Sequence, residues 1–253
     1  MEGARRYLDD LVATARAVLG AELVGAYAAG SLALGAYQPG RSDIDVALVT
    51  RDALTGEQKR ELVARLRHEA LPNPSRGLEL VVYRRDTAGS RSGEPGFELE
   101  LNSGARMEFR ATYGPSERPA TDGRFWYGLD RSILHQSGVA LLGPPAAEMF
   151  ADPDEVRGLL LAALSWWLDQ PVGLADDAVL GACRALVRTT DGIWVAKVDA
   201  GERLLAAGYQ PVGVIRRAID ARGGRTPPSA PEARAFQQQV IKEIRVRSPY
   251  RSE

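Results

Sequence analysis

The most informative part of the chain is residues 22–50, which read ELVGAYAAGSLALGAYQPGRSDIDVALVT. A first apolar run ends at Gly30 and Ser31, an irregular stretch containing Gly and Pro follows, and a second apolar run begins at Asp43. The second run, IDVALV, is rich in β-branched residues, which favour strands. The sequence therefore predicts two strands joined by an irregular connection.

Two aspartates lie at the start of the second predicted strand. Successive side chains on a strand point to opposite faces, so Asp43 and Asp45 fall on one face, about 7 Å apart along the chain. Burying that face beside two like charges costs on the order of several kcal/mol unless a cation lies between them. Because Mg²⁺ prefers oxygen ligands and commonly takes one or two carboxylates together with phosphate oxygens and water, the pair is predicted to bind Mg²⁺.

Gly30 and Ser31 are predicted to complete the same site. If the chain turns into a helix after Ser31, the first backbone N–H groups and the Ser31 hydroxyl point at an anion, and Gly30 allows the backbone to approach it closely. Paired carboxylates at a strand end are often only solvated. The preceding Gly-Ser at this spacing favours a site for metal and phosphate instead.

The Gly-Ser followed by eleven residues and a D-x-D, with a strand on each side, resembles the signature of the nucleotidyltransferase superfamily. The longer string GSLALGAYQPGRSDIDVALV, followed later by LGACRALVRTTDGIWVAKVDAGERLL, is similar to the aminoglycoside adenylyltransferases that modify streptomycin and spectinomycin, and to their little-characterised relatives. The resemblance runs from about Leu23 to about Leu205. It implies ATP as co-substrate with Mg²⁺, and a nucleotide site that includes Gly30, Ser31 and Ser42.

Length and composition are typical of a globular protein. The chain has 253 residues, of which 45% are hydrophobic, and its 32 Lys and Arg almost balance its 33 Asp and Glu. This balance provides no broad positive field for nucleic acid or an anionic membrane. The single cysteine, Cys183, is predicted to be a small buried hydrophobe. Since no signal-peptide pattern opens the chain and no apolar run approaches about 20 residues, a cytoplasmic protein is expected.

The first part of the chain is predicted to be a mixed sheet with flanking helices. Apolar residues at helical spacing predict a helix over residues 4–19. Thr55 and Gln58 predict a capping box that opens a second helix, and residues 78–83, LELVVY, predict a third strand.

Glu79 is the only charged residue inside that third strand. It is either an outward-facing residue on a half-exposed strand or, if the strand lies beside IDVALV, a third carboxylate next to Asp43 and Asp45. The resemblance implies the second reading, with Glu79 as the catalytic base and a further metal ligand.

Residues 84–124 predict a loop followed by one or two alternating strands. One predicted face carries Phe97, Leu99 and Leu101, and the other carries Glu98, Glu100 and Asn102. The second face either faces water or binds a cationic substrate, and its three residues are the candidates for contact with that substrate. The resemblance adds one point: the streptomycin-modifying enzymes have a tryptophan near the position of Asn102, so streptomycin is predicted to be a poor substrate.

The rest of the chain is predicted to be a helical bundle. Strand signals stop at the Gly-Pro-Pro of residues 143–145, which gives a nucleotidyltransferase domain over 1–145 and a helical domain over 146–253. Helical periods and caps predict one helix that begins near Asp152, and four more over about 177–190, 199–207, 211–221 and 232–247.

Lys197 precedes the third helix of this bundle. Its ammonium could reach phosphate oxygens that arrive from the other domain, or it could be an exposed lysine between helices. The resemblance implies the phosphate contact, because the family's ASK-type motif has a lysine here, although Ala196 replaces the serine that usually precedes it.

These features predict a Mg²⁺-dependent enzyme that transfers AMP from ATP to a hydroxyl of a small molecule and releases pyrophosphate. The acceptor is expected to be a cationic, aminoglycoside- or aminocyclitol-like molecule in the cleft between the domains. The alternative is a nucleotidyltransferase of the toxin–antitoxin type, which modifies a hydroxyl of a protein; such domains are usually shorter and lack a bundle of this size. A nucleotide sensor without catalysis is disfavoured by the three acidic residues.

Overall fold

A computed structural model describes residues 2–119, 122–169 and 174–246. It divides the chain into two compact units, Met1–Val156 and Arg157–Glu253. The division falls later than the boundary predicted after residue 145. The reason is that Ala146, Met149 and Phe150 are buried in a hydrophobic cluster of the first unit, so this unit continues past the Gly-Pro-Pro turn.

The first unit is built on a six-stranded mixed sheet. Its strands are β1 (Leu23–Ala28), β2 (Ile44–Thr50), β3 (Leu78–Arg84), β4 (Phe97–Gly104), β5 (Met107–Thr112) and β6 (Val139–Leu142). Their order across the sheet is β5-β4-β3-β2-β1-β6. β2 and β3 are parallel, whereas the other neighbouring pairs are antiparallel. The predicted mixed sheet is confirmed.

The described residues form eleven α-helices. They are α1 (Glu2–Leu19), α2 (Gly30–Ala33), α3 (Gly56–Leu66), α4 (Arg85–Ala88), α5 (Phe125–Ser137), α6 (Ala146–Met149), α7 (Val156–Asp169), α8 (Ala175–Asp191), α9 (Lys197–Ala206), α10 (Val212–Ala221) and α11 (Ala230–Val246). The capping box predicted at Thr55 and Gln58 is present at the start of α3. Within the described part of the chain, no helix combines the length and apolar character needed to cross a membrane.

Helices cover both faces of the sheet. One face packs against α1 and α3 through a cluster that includes Leu11, Leu62 and Leu80. The other face packs against α5 and α6 through a second cluster that includes Ala47 and Tyr83. Side chains alternate along a strand. Asp45, two residues before Ala47, and Glu79, four residues before Tyr83, therefore belong to this second face. Both acidic residues are therefore at the start of their strands on the α5 side.

The second unit is helical, as predicted. Its longest described helices are α8 and α11, which pack against each other, and α8 also contacts α9 and α10. Cys183, Ile215 and Phe236 are buried in its core, so the prediction of a buried cysteine is confirmed. The last helix was predicted to continue to residue 247, which lies outside the described residues.

Candidate active site

The parallel pairing of β2 and β3 brings two carboxylates together. In this register Asp45 is the direct partner of Glu79, and neighbouring strands are about 4.8 Å apart. Asp43 lies immediately before β2, and its carboxylate is close enough to Glu79 to raise the pKa of that residue. The structure therefore places Glu79 beside both aspartates, which is the arrangement that a third acidic residue of the site requires.

The crowding of these carboxylates changes the acidity of Glu79. Partial burial of the side chain is the main cause of a raised pKa, and the negative charges of Asp45 and Asp43 add to it. Together they raise the pKa of Glu79 to about 8, and the positive charge of Arg76 opposes the rise. A raised pKa means that a proton at Glu79 relieves repulsion between like charges. A further cation among the three carboxylates would relieve the same repulsion and favour ionised Glu79, which is the form that a general base needs.

Arg76 is a residue of the site that the sequence analysis missed. It lies in the loop that leads into β3, and its Nη2 donates a hydrogen bond to Oδ2 of Asp43 at 2.8 Å. The same nitrogen is 3.8 Å from Oε1 of Glu79. No motif or periodic pattern marks this arginine, and the contact arises only because the loop before β3 ends beside the start of β2.

Gly30 is required by the position of Asp45. Its φ of 54° lies in the left-handed region, and a Cβ at this residue would be 1.8 Å from Oδ2 of Asp45. The backbone N–H of Ala29 also donates to the backbone carbonyl of Asp45 at 2.9 Å. The glycine therefore allows the chain after β1 to lie directly against the carboxylate.

The two candidate serines differ in their surroundings. The hydroxyl of Ser31 is buried and has no hydrogen-bond partner among the described residues, so it is available to an anion that enters beside Gly30. The hydroxyl of Ser42 already accepts a hydrogen bond from the backbone N–H of Gln38 at 3.0 Å. The backbone carbonyl of Ser42 accepts from the N–H of Arg76 at 3.2 Å, so Ser42 joins the two loops that form the site.

Asn102 lies next to the acidic residues, because it is the direct partner of Glu79 in the β3–β4 pairing. Glu100 follows on the same face, but it is buried and its charge is compensated. Its carboxylate accepts hydrogen bonds from Arg110 at 3.1 Å, from the hydroxyl of Thr112 at 3.2 Å, and from Arg118. Glu100 therefore contributes little net negative charge to this face.

Glu98 lies on the face of the sheet opposite to Glu100 and Asn102. The predicted alternation is therefore wrong at the start of β4. The pairing of β3 with β4 shifts register between Val82 and Tyr83, which pair with Leu99 and Phe97. This bulge turns Phe97 toward the cluster on the α5 side, whereas Leu99 belongs to the cluster on the α3 side. Glu98 consequently pairs with Lys59 of α3 at 3.0 Å.

Lys197 is the first residue of α9 in the helical unit. Its Nζ donates to Oδ1 of Asp177 at 2.7 Å, and Arg222 donates to the same oxygen at 2.5 Å. Although burial disfavours the charged carboxylate, these two cations hold the pKa of Asp177 below its usual range. Burial lowers the pKa of Lys197, and Asp177 opposes that effect.

The carboxylate oxygens of the site suit a hard divalent cation in their chemistry but not in their number. Asp43 and Asp45 present carboxylate oxygens, which Mg²⁺ prefers. Among residues 2–119, 122–169 and 174–246, however, no group of three or more His, Cys, Asp or Glu side chains is arranged to hold a metal ion. The guanidinium of Arg76 lies between Asp43 and Glu79 instead. A site completed by phosphate oxygens and water needs only the two aspartates.

Comparison with solved structures finds a protein of similar fold. The chain is similar to the crystal structure of spectinomycin adenyltransferase AAD(9) from Enterococcus faecialis with ATP and spectinomycin. The TM-score is 0.71 at 14% sequence identity, and the match covers 96% of this chain and 99% of that chain. No protein-family model and no curated protein matches the chain. The predicted resemblance is therefore confirmed as a likeness of fold over the whole two-part layout.

Proposed function

We propose that this protein is an adenylyltransferase that transfers AMP from ATP to a hydroxyl of a small molecule and releases pyrophosphate. The observation that carries the proposal is the direct pairing of Asp45 with Glu79, with Asp43 and the close approach of Gly30 beside them. The fold supports it, because the similar AAD(9) structure contains ATP and spectinomycin. That likeness also extends through the helical unit, which favours a small acceptor over the protein hydroxyl of a toxin–antitoxin pair.

In this proposal Asp43 and Asp45 would hold Mg²⁺, and Gly30 and Ser31 would contact the outer phosphates of ATP. A bound ion would neutralise charge on the triphosphate and increase the electrophilicity of the α-phosphorus. The hydroxyl of Ser31, which is buried and has no hydrogen-bond partner within the described part of the chain, provides a donor for a phosphate oxygen. Ser42 keeps the two loops of the site together through its contacts with Gln38 and Arg76.

Glu79 is the proposed general base. It accepts the proton of the acceptor hydroxyl while that oxygen bonds to the α-phosphorus, and the bond from the α-phosphorus to the bridging oxygen of the β-phosphate breaks, so that pyrophosphate leaves. This requires the hydroxyl to lie within about 3 Å of the Glu79 carboxylate. The residue next to Glu79 on β4 is Asn102, whose neutral amide can donate to or accept from an acceptor at this place.

The acceptor is proposed to be an aminocyclitol-like molecule with a free hydroxyl, but positive charge is not a requirement. A cationic acceptor was expected from the carboxylates of this stretch, which include Glu98 and Glu100. Glu98 faces α3 and pairs with Lys59, and Glu100 is compensated by two arginines. Recognition of the acceptor therefore depends on neutral hydrogen bonds, such as those of Asn102, more than on carboxylates of β4.

Lys197 is kept as the proposed contact to the nucleotide phosphates. For this contact its ammonium must exchange Asp177 for a phosphate oxygen. Arg222 also donates to Asp177, so the carboxylate stays compensated when the lysine turns away. The structure thus contains a second cation that lowers the cost of the exchange.

The test is to incubate the protein with ATP, Mg²⁺ and a panel of aminocyclitols, and to measure pyrophosphate. We expect release that depends on one acceptor, that stops when EDTA is added, and that is absent in Asp45→Asn. Release that depends instead on an added protein would support the toxin–antitoxin alternative. No release with any acceptor, in a preparation that binds ATP, would contradict the proposal.

A further inference from the structure

The acidic site contains its own cation. Nη2 of Arg76 is 2.8 Å from Oδ2 of Asp43 and 3.8 Å from Oε1 of Glu79. A metal ion bound through Oδ2 of Asp43 would need the oxygen that already accepts from Arg76. The guanidinium and a divalent ion are both positively charged, so they repel each other at neighbouring positions on one carboxylate.

The backbone of Arg76 is held more firmly than its side chain. Its N–H donates to the carbonyl of Ser42, and its carbonyl accepts from the N–H of Arg106, both at 3.2 Å. The guanidinium, by contrast, makes one hydrogen bond to Asp43, and its Nε is buried without a hydrogen-bond partner among the described residues. The side chain is 40% exposed. Since an arginine offers five donors, this single bond is a weak attachment compared with a bidentate pair.

We propose that Arg76 is an exchangeable counter-cation of the site, an inference that rests on the proposed function. In the free protein Arg76 compensates Asp43 and Glu79. When a divalent ion binds, the guanidinium leaves Asp43, and a triphosphate that arrives with the ion offers it new oxygen partners. Arg76 thus acts through Asp43 as a positioning residue, and it makes binding of the metal depend on binding of the nucleotide.

The test measures Mn²⁺ binding to the full-length protein without nucleotide, by electron paramagnetic resonance. We expect Arg76→Gln to bind Mn²⁺ about fivefold more tightly than the unmodified protein, which corresponds to loss of a competing ion pair of about 1 kcal/mol. Arg76→Lys keeps the charge and should stay close to the unmodified protein. The matched control is Arg67→Gln, which removes an arginine from an exposed pair with Glu69 and should not change Mn²⁺ affinity.

Two further measurements separate this inference from the proposed function. In an Asp43→Asn background the substitution Arg76→Gln should no longer change Mn²⁺ affinity, because the shared carboxylate is absent. Equal or weaker Mn²⁺ binding by folded Arg76→Gln, or equal tightening by Arg76→Lys, would overturn the competition. If no variant and no unmodified protein binds Mn²⁺ even with ATP, the proposed Mg²⁺-dependent function fails, and the inference fails with it.

Discussion

Replacing Gly30 by alanine should displace Asp45 and disable the site. The new Cβ would lie 1.8 Å from Oδ2 and 2.5 Å from Cγ of Asp45, whereas ordinary contacts of this kind exceed about 3.4 Å. The carboxylate must therefore move by more than about 1 Å, and a misplacement of that size can cost about 10²-fold in rate. Calorimetry should show MgATP affinity at least about tenfold weaker, because one of two proposed metal ligands is lost.

Gly35→Ala is a matched control within the same loop. Gly35 also has a positive φ, 68°, but a Cβ there meets no atom within 4 Å. Both substitutions carry the backbone cost of a left-handed alanine, about 1 kcal/mol of folding free energy. Only Gly30→Ala should lose MgATP affinity and turnover. Unchanged affinity in Gly30→Ala, or an equal loss in the control, would refute the argument that Gly30 is needed by Asp45.

Three other substitutions test separate parts of the structure. Glu79→Gln should retain MgATP affinity and thermal stability but lose about 10²-fold or more in kcat, because the shape is kept and the proton acceptor is removed. A rate near that of the unmodified enzyme would show that Glu79 has no catalytic role. Arg131→Met should lower the free energy of unfolding in urea by about 3 kcal/mol, since the buried guanidinium donates to the carbonyls of Thr87, Ser92 and Glu94; a loss below about 1 kcal/mol would contradict this role. Asp177→Asn should cost about 2 kcal/mol at pH 7. Because the pKa of Asp177 is lowered in the folded state, its contribution is present above about pH 4 and disappears on acidification, so the two proteins should converge in stability at lower pH.

The acidic site was accessible from sequence because its residues follow short-range rules. The alternation of side chains along a strand puts Asp45 on the same face as Ala47, and Glu79 on the same face as Val81. The alternation leaves only the pairing of β2 with β3 undetermined. The two strands pair in parallel and are connected through α3. The resemblance to a known family named this pairing before the structure showed it.

The features that sequence reasoning missed depend on contacts between distant residues. Arg76 is one of many arginines, and its contact with Asp43 depends on how two loops meet. The bulge at the start of β4 leaves no mark on the alternating letters of FELELN, although it reverses the side of Glu98. The last helix of the first unit, Ala146–Met149, is too short for a helical period to be visible.

We propose that this protein transfers the AMP moiety of ATP to a hydroxyl of a small molecule, and that the transfer requires Asp45 and Glu79. The most direct measurement uses ATP labelled at the α-phosphorus with an acceptor from the aminocyclitol panel, followed by mass spectrometry of the products. We expect the acceptor to gain one labelled adenylyl group with one pyrophosphate released, and Asp45→Asn to give neither product. Formation of ADP with an acceptor that carries only a γ-phosphoryl group, or an equal yield from Asp45→Asn, would contradict the account.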